Sequence, residues 1–400
     1  MEINNITEFR NRVHSELYEN IVPFWVKNTM DKEFGGFYGR ISNDLKLIKK
    51  ARKSLILTAR ILWTFSALYR IEEKDEYLKM AEHGYRFLLD KFLDRKYGGA
   101  FWLVDYEGSV LETKKKIYGQ AFSIYALVEY YSAVKDQDAL ERAITIFKLI
   151  EENNHDNENL GYFEAANRDW SATEEMRLSE VDMNEVKSMN THLHLMEAYT
   201  NLYRVWGDKT LKLRLKELIK VFLDHIINPH NFHLQLFFDE FWKPKSDIVS
   251  FGHDIEASWL LCETADVLDD EKLGVTIKNA ALKLVDAALR DGFSEKNAIY
   301  TEMNGKGEIF KNIQWWQQAE SVVGLLNAFK ISQSEKYYML ALNAWKFVEN
   351  YFIDKNNGEW FYEINEDDLP TETYCKVSEW KGPYHNTRAC LEIIKRLSLV

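Results

Sequence analysis

Glycine and proline are scarce in this chain, 18 and 5 among 400 residues, about half the ordinary share of these two breakers. So few interruptions exclude a collagen-like chain, a turn-rich all-β sandwich and a disordered protein, and they favour long helices. Cysteine is scarcer still. Cys262, Cys375 and Cys390 have neither metal-site nor redox spacing, and the odd number suits a reducing compartment. No apolar run reaches the length of a membrane span, and the opening MEINNITEFRNRV has no apolar signal core, so a cytoplasmic protein with no membrane partner is expected. Positive charge is in deficit. A net charge of −12 makes a poor surface for nucleic acid, and the densest basic cluster, Lys49-Lys50-Ala51-Arg52-Lys53, reads as a solvated segment ahead of a helix. The glycine-rich phosphate loops, HExxH, paired cysteines and an acidic calcium loop are all missing, so no cofactor and no metal are expected.

What the chain does have is helical periodicity in pairs. The pattern predicts helices near residues 6–28, 53–71, 75–94, 117–135, 137–153, 188–206, 208–228, 252–269, 271–291, 315–331, 334–353 and 383–398. Within pairs the turns are short and polar, as at 72–74, 135–137, 207–208, 269–270 and 332–333. Between pairs lie aromatic, strand-like pieces at 35–40, 98–102, 161–164, 234–242 and 358–362. Every second helix starts near 53, 117, 188, 252, 315 and 383, in steps of 64, 71, 64, 63 and 68 residues. Six helical hairpins of that period can close into a ring, which buries the inner helices on both faces. The expected fold is all-α, an (α/α)6 barrel of about twelve helices, with short β-hairpin-like loops at the mouth. One domain over residues 1–400 is expected, because no Ser/Pro/Gly-rich stretch marks a boundary.

The unusual residues gather at the starts of the inner helices: Tyr118-Gly119-Gln120, Asn190 to His194, Gly252 to Glu256, Trp315 to Glu320, and Pro383-Tyr384-His385-Asn386. A ring brings these starts to a common mouth. His253 and Glu256, at i and i+3, share a helix face, which would let Glu256 orient the imidazole. His253 and His385 both fall in a first helical turn, where the positive dipole end favours the neutral base. Asn190, His194 and Glu197 form one polar stripe, while His192 is ambiguous, facing a side where Met189, Met196 and Tyr199 suggest core. On a helix His192 and His194 splay apart by about 200°, too far for a shared metal. His14, His83, His155, His225, His230 and His233 read as surface or capping residues, and Trp63, Trp206 and Trp345 as packing. Trp315, Trp316 and Trp380 sit at the mouth, where an indole face can stack on a sugar.

Six segments taken in order resemble the N-acylglucosamine 2-epimerase family: Thr58 to Trp63, Tyr118 to Phe122, Met189 to His194, Phe251 to Ser258, Trp315 to Glu320, and Pro383 to Asn386. Gln317 departs from the proline that relatives commonly carry there. The resemblance implies an (α/α)6 barrel that inverts C2 of the reducing-end sugar in a β-1,4-linked disaccharide, as in cellobiose or in lactose to epilactose. It also implies His253 and His385 as the acid/base pair, Arg60 holding the negative oxygen, and Glu256 setting the tautomer of His253. His194, Asn190 and Tyr118 would bind the open-chain oxygens, Trp316, Trp380 and Trp315 would stack on the sugars, and Asp182 would accept a sugar hydroxyl. Glu320 joins the substrate-binding set. Such an enzyme works on a small molecule without cofactor, as a monomer or weak homodimer, and leaks some ketose such as lactulose. A mannose isomerase, an N-acetylglucosamine 2-epimerase, an (α/α)6 glycoside hydrolase and a sugar-binding protein without catalysis are the alternatives.

Overall fold

The computed structural model describes residues 3–398, so the outermost ends of the expected 1–400 unit lie outside the described residues. Helix α1 (Ile3–Ser15) runs through a π-turn (Glu16–Ile21) into α2 (Val22–Asn28). After it come α3 (Leu55–Ile71), α4 (Asp75–Phe87), α5 (Ile117–Val134), α6 (Gln137–Asn153), α7 (Met189–Val205) and α8 (Lys209–Val221). The chain closes with α9 (Phe251–Leu268), α10 (Glu271–Gly292), α11 (Trp315–Ser332), α12 (Glu335–Phe347) and α13 (Tyr384–Leu397). The odd-numbered helices from α3 to α13 pack in succession, and α13 returns to α3, which closes the ring. Each inner helix has an outer one behind it, from α4 on α3 round to α1 on α13. This is the (α/α)6 architecture.

Sequence pattern explains the two layers. In α3 every residue from 55 to 68 is buried, and in α5 every residue from 117 to 130; a helix apolar all round belongs inside. The outer α8 buries only Leu211, Leu215, Leu218, Ile219 and Val221, a single stripe at helical spacing. Asp136, Asp208 and Asp270 cap the outer helices at the tight turns. Outer helices α4, α8 and α12 end in π-turns, Leu88–Phe92, Phe222–Ile226 and Val348–Phe352, where the sequence predicts plain helix.

Two-residue antiparallel ladders stitch the inner-helix starts together. Lys53–Ser54 pairs with Leu103–Val104, Lys115–Lys116 with Ala165–Ala166, and Lys187–Ser188 with Phe237–Phe238. Val249–Ser250 pairs with Glu302–Met303, Ile313–Gln314 with Glu363–Ile364, and a single bridge, Ile41 to Val377, serves the sixth start. Most of these strands lie just beyond the aromatic pieces expected to form them, which instead make isolated bridges such as Leu93–Ala100 and Ile353–Trp360. The ladders also satisfy the first orphan amides of the inner helices: Leu55 N–H donates to Trp102 O, Ile117 to Glu164 O, Met189 to Leu236 O and Trp315 to Tyr362 O.

A buried ion pair recurs under four of these loops: Lys53–Asp31 at 2.7 Å, Lys115–Asp94 at 3.1 Å, Lys187–Asp156 at 2.7 Å and Lys376–Asp354 at 2.8 Å. Each aspartate also accepts two backbone N–H groups of its own turn, as Asp31 does from Glu33 and Phe34. The expected solvated stretch 49–53 is therefore corrected at its end, because Lys53 is buried while Lys49 and Lys50 are exposed.

Candidate active site

The ladders gather the inner-helix starts around a cavity of about 160 Å³. Arg60, Tyr118, Asn190, His194, His253, Glu256, Trp315, Trp316, Trp380 and His385, all expected at the site, line it. Tyr362 lines it too, and the sequence reading missed it. Glu320 lies one layer below, and Asp182 is not on the wall: its carboxylate is taken up by the Ser179 amide and hydroxyl, both at 2.8 Å, inside its own loop. Both contacts go to Asp182 Oδ2. Larger hollows of about 980 and 830 Å³ lie along α1 and at the opposite end of the ring, but ion-pairing side chains line them and no imidazole pair meets there.

Each imidazole is held by its Nδ1. His385 Nδ1 meets Glu320 Oε1 at 2.8 Å and His194 Nδ1 meets Glu197 Oε2 at 3.0 Å. His253 Nδ1 meets Ser250 Oγ at 2.7 Å. The expected Glu256–His253 pairing is thus replaced: Ser250 is the N-cap of α9 and His253 its third residue, a spacing at which the N3 side chain folds back on the cap. Glu256 turns instead to Arg388. The rings of His253 and His385 both pack on Trp316, with centroids 4.7 and 5.6 Å away.

Arg60 is clamped before any ligand arrives. One guanidinium nitrogen donates to Trp380 O at 2.6 Å and the other meets Tyr118 Oη at 3.0 Å, while the plane lies over Phe122 and Tyr384. Arg60 Nε, Asn190 Oδ1 and Trp315 Nε1 are buried without a protein partner, polar groups left over for a ligand.

Beneath the histidines Arg388 ties four inner helices into one ionic cluster. Its Nη2 lies 2.7 Å from Glu256 Oε1 and 2.6 Å from Glu320 Oε1, and its Nη1 bonds to Glu197 and Tyr384. Burial would raise Glu197, but Arg388 and His194 overrule it and bring its carboxyl down to about 2. Burial and the facing Glu320 charge push Glu256 up to about 8, and burial raises Glu320 as well. Glu320 accepts from Arg388, His385 and Trp259, whereas Glu256 Oε2 has no protein partner. Burial, reinforced by Arg60 and Arg388, lowers His385 well below its ordinary value, and burial with the nearby His194 lowers His253 to about 3. Both imidazoles are neutral at pH 7, through burial more than through the helix dipole that the sequence suggests.

Glu256, Glu320 and His385 also come within 4.8 Å of one another, the one grouping among the described residues that could hold a metal ion. Arg388 already bridges both carboxylates from inside it, so a cation there would face a guanidinium, and the donor set does not fit a metal.

The other histidines need partial correction. His192, ambiguous in the sequence, is core, its Nδ1 donating to Ser188 O and its Nε2 accepting from Tyr162 N–H. His155 and His233 are buried rather than superficial, His155 on Glu217 and His233 between Asp254 and Asp291. Gln317, the departure from the family pattern, closes a capping box with Gln314 at the start of α11.

Comparison with known proteins places the chain in a family. Residues 36–389 match the model of the family described as N-acylglucosamine 2-epimerase (GlcNAc 2-epimerase). The chain is 43% identical over 385 residues to a cellobiose 2-epimerase of Bacteroides fragilis, covering 96% of this chain and 98% of that protein. It is 38% identical to a cellobiose 2-epimerase of Dictyoglomus turgidum, covering 97% and 98% respectively. The solved structure of the cellobiose 2-epimerase from Bacillus thermoamylovorans B4167 superposes with a TM-score of 0.93 at 39% identity, over 98% of this chain and all of that one.

Proposed function

Because the chain belongs to the N-acylglucosamine 2-epimerase family, we propose that it is a disaccharide 2-epimerase that interconverts glucose and mannose configurations at the reducing end of β-1,4-linked disaccharides such as cellobiose. It is an isomerase of the sugar-epimerase kind. The observation that carries the mechanism is a cavity with two neutral imidazoles, each held by Nδ1 with Nε2 left free, beside one fixed guanidinium.

In the opened sugar the proton on C2 is acidified by the C1 carbonyl. One imidazole Nε2 takes it, the electron pair moves onto the carbonyl oxygen, and Arg60 holds the resulting enediolate with donors already in place. The other imidazole, as an imidazolium carrying a proton taken from solvent, returns a proton to C2 from the opposite face and is left neutral. His385 suits the base role, because Glu320, which also accepts from Arg388 and Trp259, takes its Nδ1–H and leaves Nε2 bare. A proton returned to C1 instead gives the ketose.

The names of the relatives favour a disaccharide over a monosaccharide or an acetylated hexosamine. The cavity is smaller than the roughly 300–1,000 Å³ of a typical ligand site, but Trp380 is also a wall of an adjoining hollow of about 410 Å³ beside Trp102, Leu178 and Ser179. That hollow offers room for the second sugar. Hydrolysis by paired carboxylates is disfavoured, since one guanidinium grips Glu256 and Glu320 from the same side instead of leaving them to flank a bond. A cytoplasmic setting fits three unpaired cysteines, and no described helix is long and apolar enough to cross a membrane. The test is incubation of the purified protein with cellobiose, followed by chromatography of the products. A mannose-configured reducing end supports the proposal; free glucose, or unchanged cellobiose alongside converted mannose or N-acetylglucosamine, overturns it.

A further inference from the structure

Three inner helices begin with the same cap residue but use it differently. Ser54 and Ser188 accept the backbone N–H of the third helical residue, Leu57 at 3.0 Å and Thr191 at 3.1 Å. Ser250 makes no such bond. In α9 the third residue is His253, and the Ser250 hydroxyl meets its ring Nδ1 at 2.7 Å. One repeat of the ring has therefore given up a helix cap, an interaction that ordinarily stabilises, to hold the side chain of a cavity-lining histidine. Ser250 itself is buried, on the strand pair with Glu302–Met303, and does not line the cavity.

The two histidines are held by chemically different partners. Glu320, already accepting from Arg388 and Trp259, also accepts the Nδ1–H of His385. A serine hydroxyl can accept the Nδ1–H of His253 in the same way. Nε2 then faces the cavity, bare when the ring is neutral and bearing a proton when the ring is an imidazolium.

We propose that Ser250 is a positioning residue for the epimerisation: by accepting the Nδ1–H of His253 it aims Nε2 at the sugar, so that the neutral ring takes the C2 proton in one direction and the imidazolium returns a proton to C2 in the other. The inference rests on the acid/base roles proposed above. The ring keeps its Nδ1–H in both states, so one acceptor serves both directions, as Glu320 does for His385.

The test compares Ser250→Ala, Ser250→Thr and Ser188→Ala by steady-state kinetics and thermal melting. Removing the partner that orients a working imidazole typically costs about ten- to a hundredfold in activity. Ser250→Ala is expected to lower kcat by that factor with KM and Tm close to the parent, and Ser250→Thr, which keeps the hydroxyl, to restore most of it. Ser188→Ala, which removes a true cap, is expected to lower Tm and leave kcat alone. Parent-like kcat in Ser250→Ala overturns the proposal, as does a loss that tracks Tm or one that threonine does not restore. His253→Ala is measured alongside: if it keeps turnover, the acid/base reading itself fails, whatever Ser250 does.

Discussion

Arg388→Met removes one positive charge from beneath the candidate site and leaves a side chain of similar length. In the native protein Arg388 is buried and bonds to Glu197, Glu256 and Glu320 on three other helices. Glu197 is also buried, and burial alone would raise its carboxyl; Arg388 and His194 reverse this and hold it at about 2, against an ordinary 4.5. At about 1.4 kcal/mol per pH unit that difference stabilises the fold by about 3 kcal/mol at neutral pH, the order expected when a buried ion pair loses one member, about 3–5 kcal/mol. An unfolding entropy of about 2 cal/mol/K per residue turns this into a fall in Tm of about 4–6 °C for a chain of this length. The pH dependence has a definite sign. A depressed carboxyl contributes stability above pH 4.5 that is lost as pH falls toward 2. Without Arg388, burial raises the same carboxyl above 4.5, so the variant regains stability as pH falls through that raised value. Melting followed by circular dichroism at pH 7.5 and pH 5 should show the deficit narrowing at pH 5. A Tm change under about 1 °C, or a deficit that widens at pH 5, would refute the charge assignment.

His385→Ala or His253→Ala should cut turnover by about 10²–10⁴-fold with an unchanged circular dichroism spectrum, and a normal rate in either removes that residue from the acid/base pair. Trp380→Ala should raise KM for cellobiose by about tenfold, equivalent to about 1.4 kcal/mol, because it strips the wall common to both hollows; an unchanged KM places the second sugar elsewhere. His233 is buried, which lowers its affinity for a proton, but Asp254 at 2.7 Å and Asp291 at 2.8 Å outweigh this and raise it above 6.5. Its stabilising contribution is full below pH 6.5 and lost as pH rises through the raised value, so Tm of the parent should fall more steeply between pH 7 and 9 than Tm of His233→Gln; parallel curves contradict the clamp.

The ring was legible because its signal is periodic: runs such as 117–130, apolar on every face apart from Gln120, Ser123 and Glu129, read as inner helices. The gathering of His194, His253 and His385 was legible as well, since all three sit near inner-helix starts that closure must bring together. Partner choice was not. Glu256 and Ser250 both lie three residues from His253, and only the cap geometry decides between them. Arg388 stayed hidden because its three carboxylates come from three other helices whose mutual register no single segment encodes. The Lys–Asp clamps were written in the chain, an aspartate opening four of the loops and a lysine closing them, but their pairing spans 21 to 31 residues and has no local period. Asp182, off the cavity lining, is engaged within its own loop through Ser179.

The most direct test of proton transfer at C2 is proton NMR of the purified protein with cellobiose in heavy water, with a chelator present. The account predicts deuterium at C2 of the reducing-end residue, appearing together with the mannose-type anomeric signal and abolished in His385→Ala. Epimer formed with its C2 hydrogen unexchanged throughout, or formed only when the chelator is left out, would contradict it.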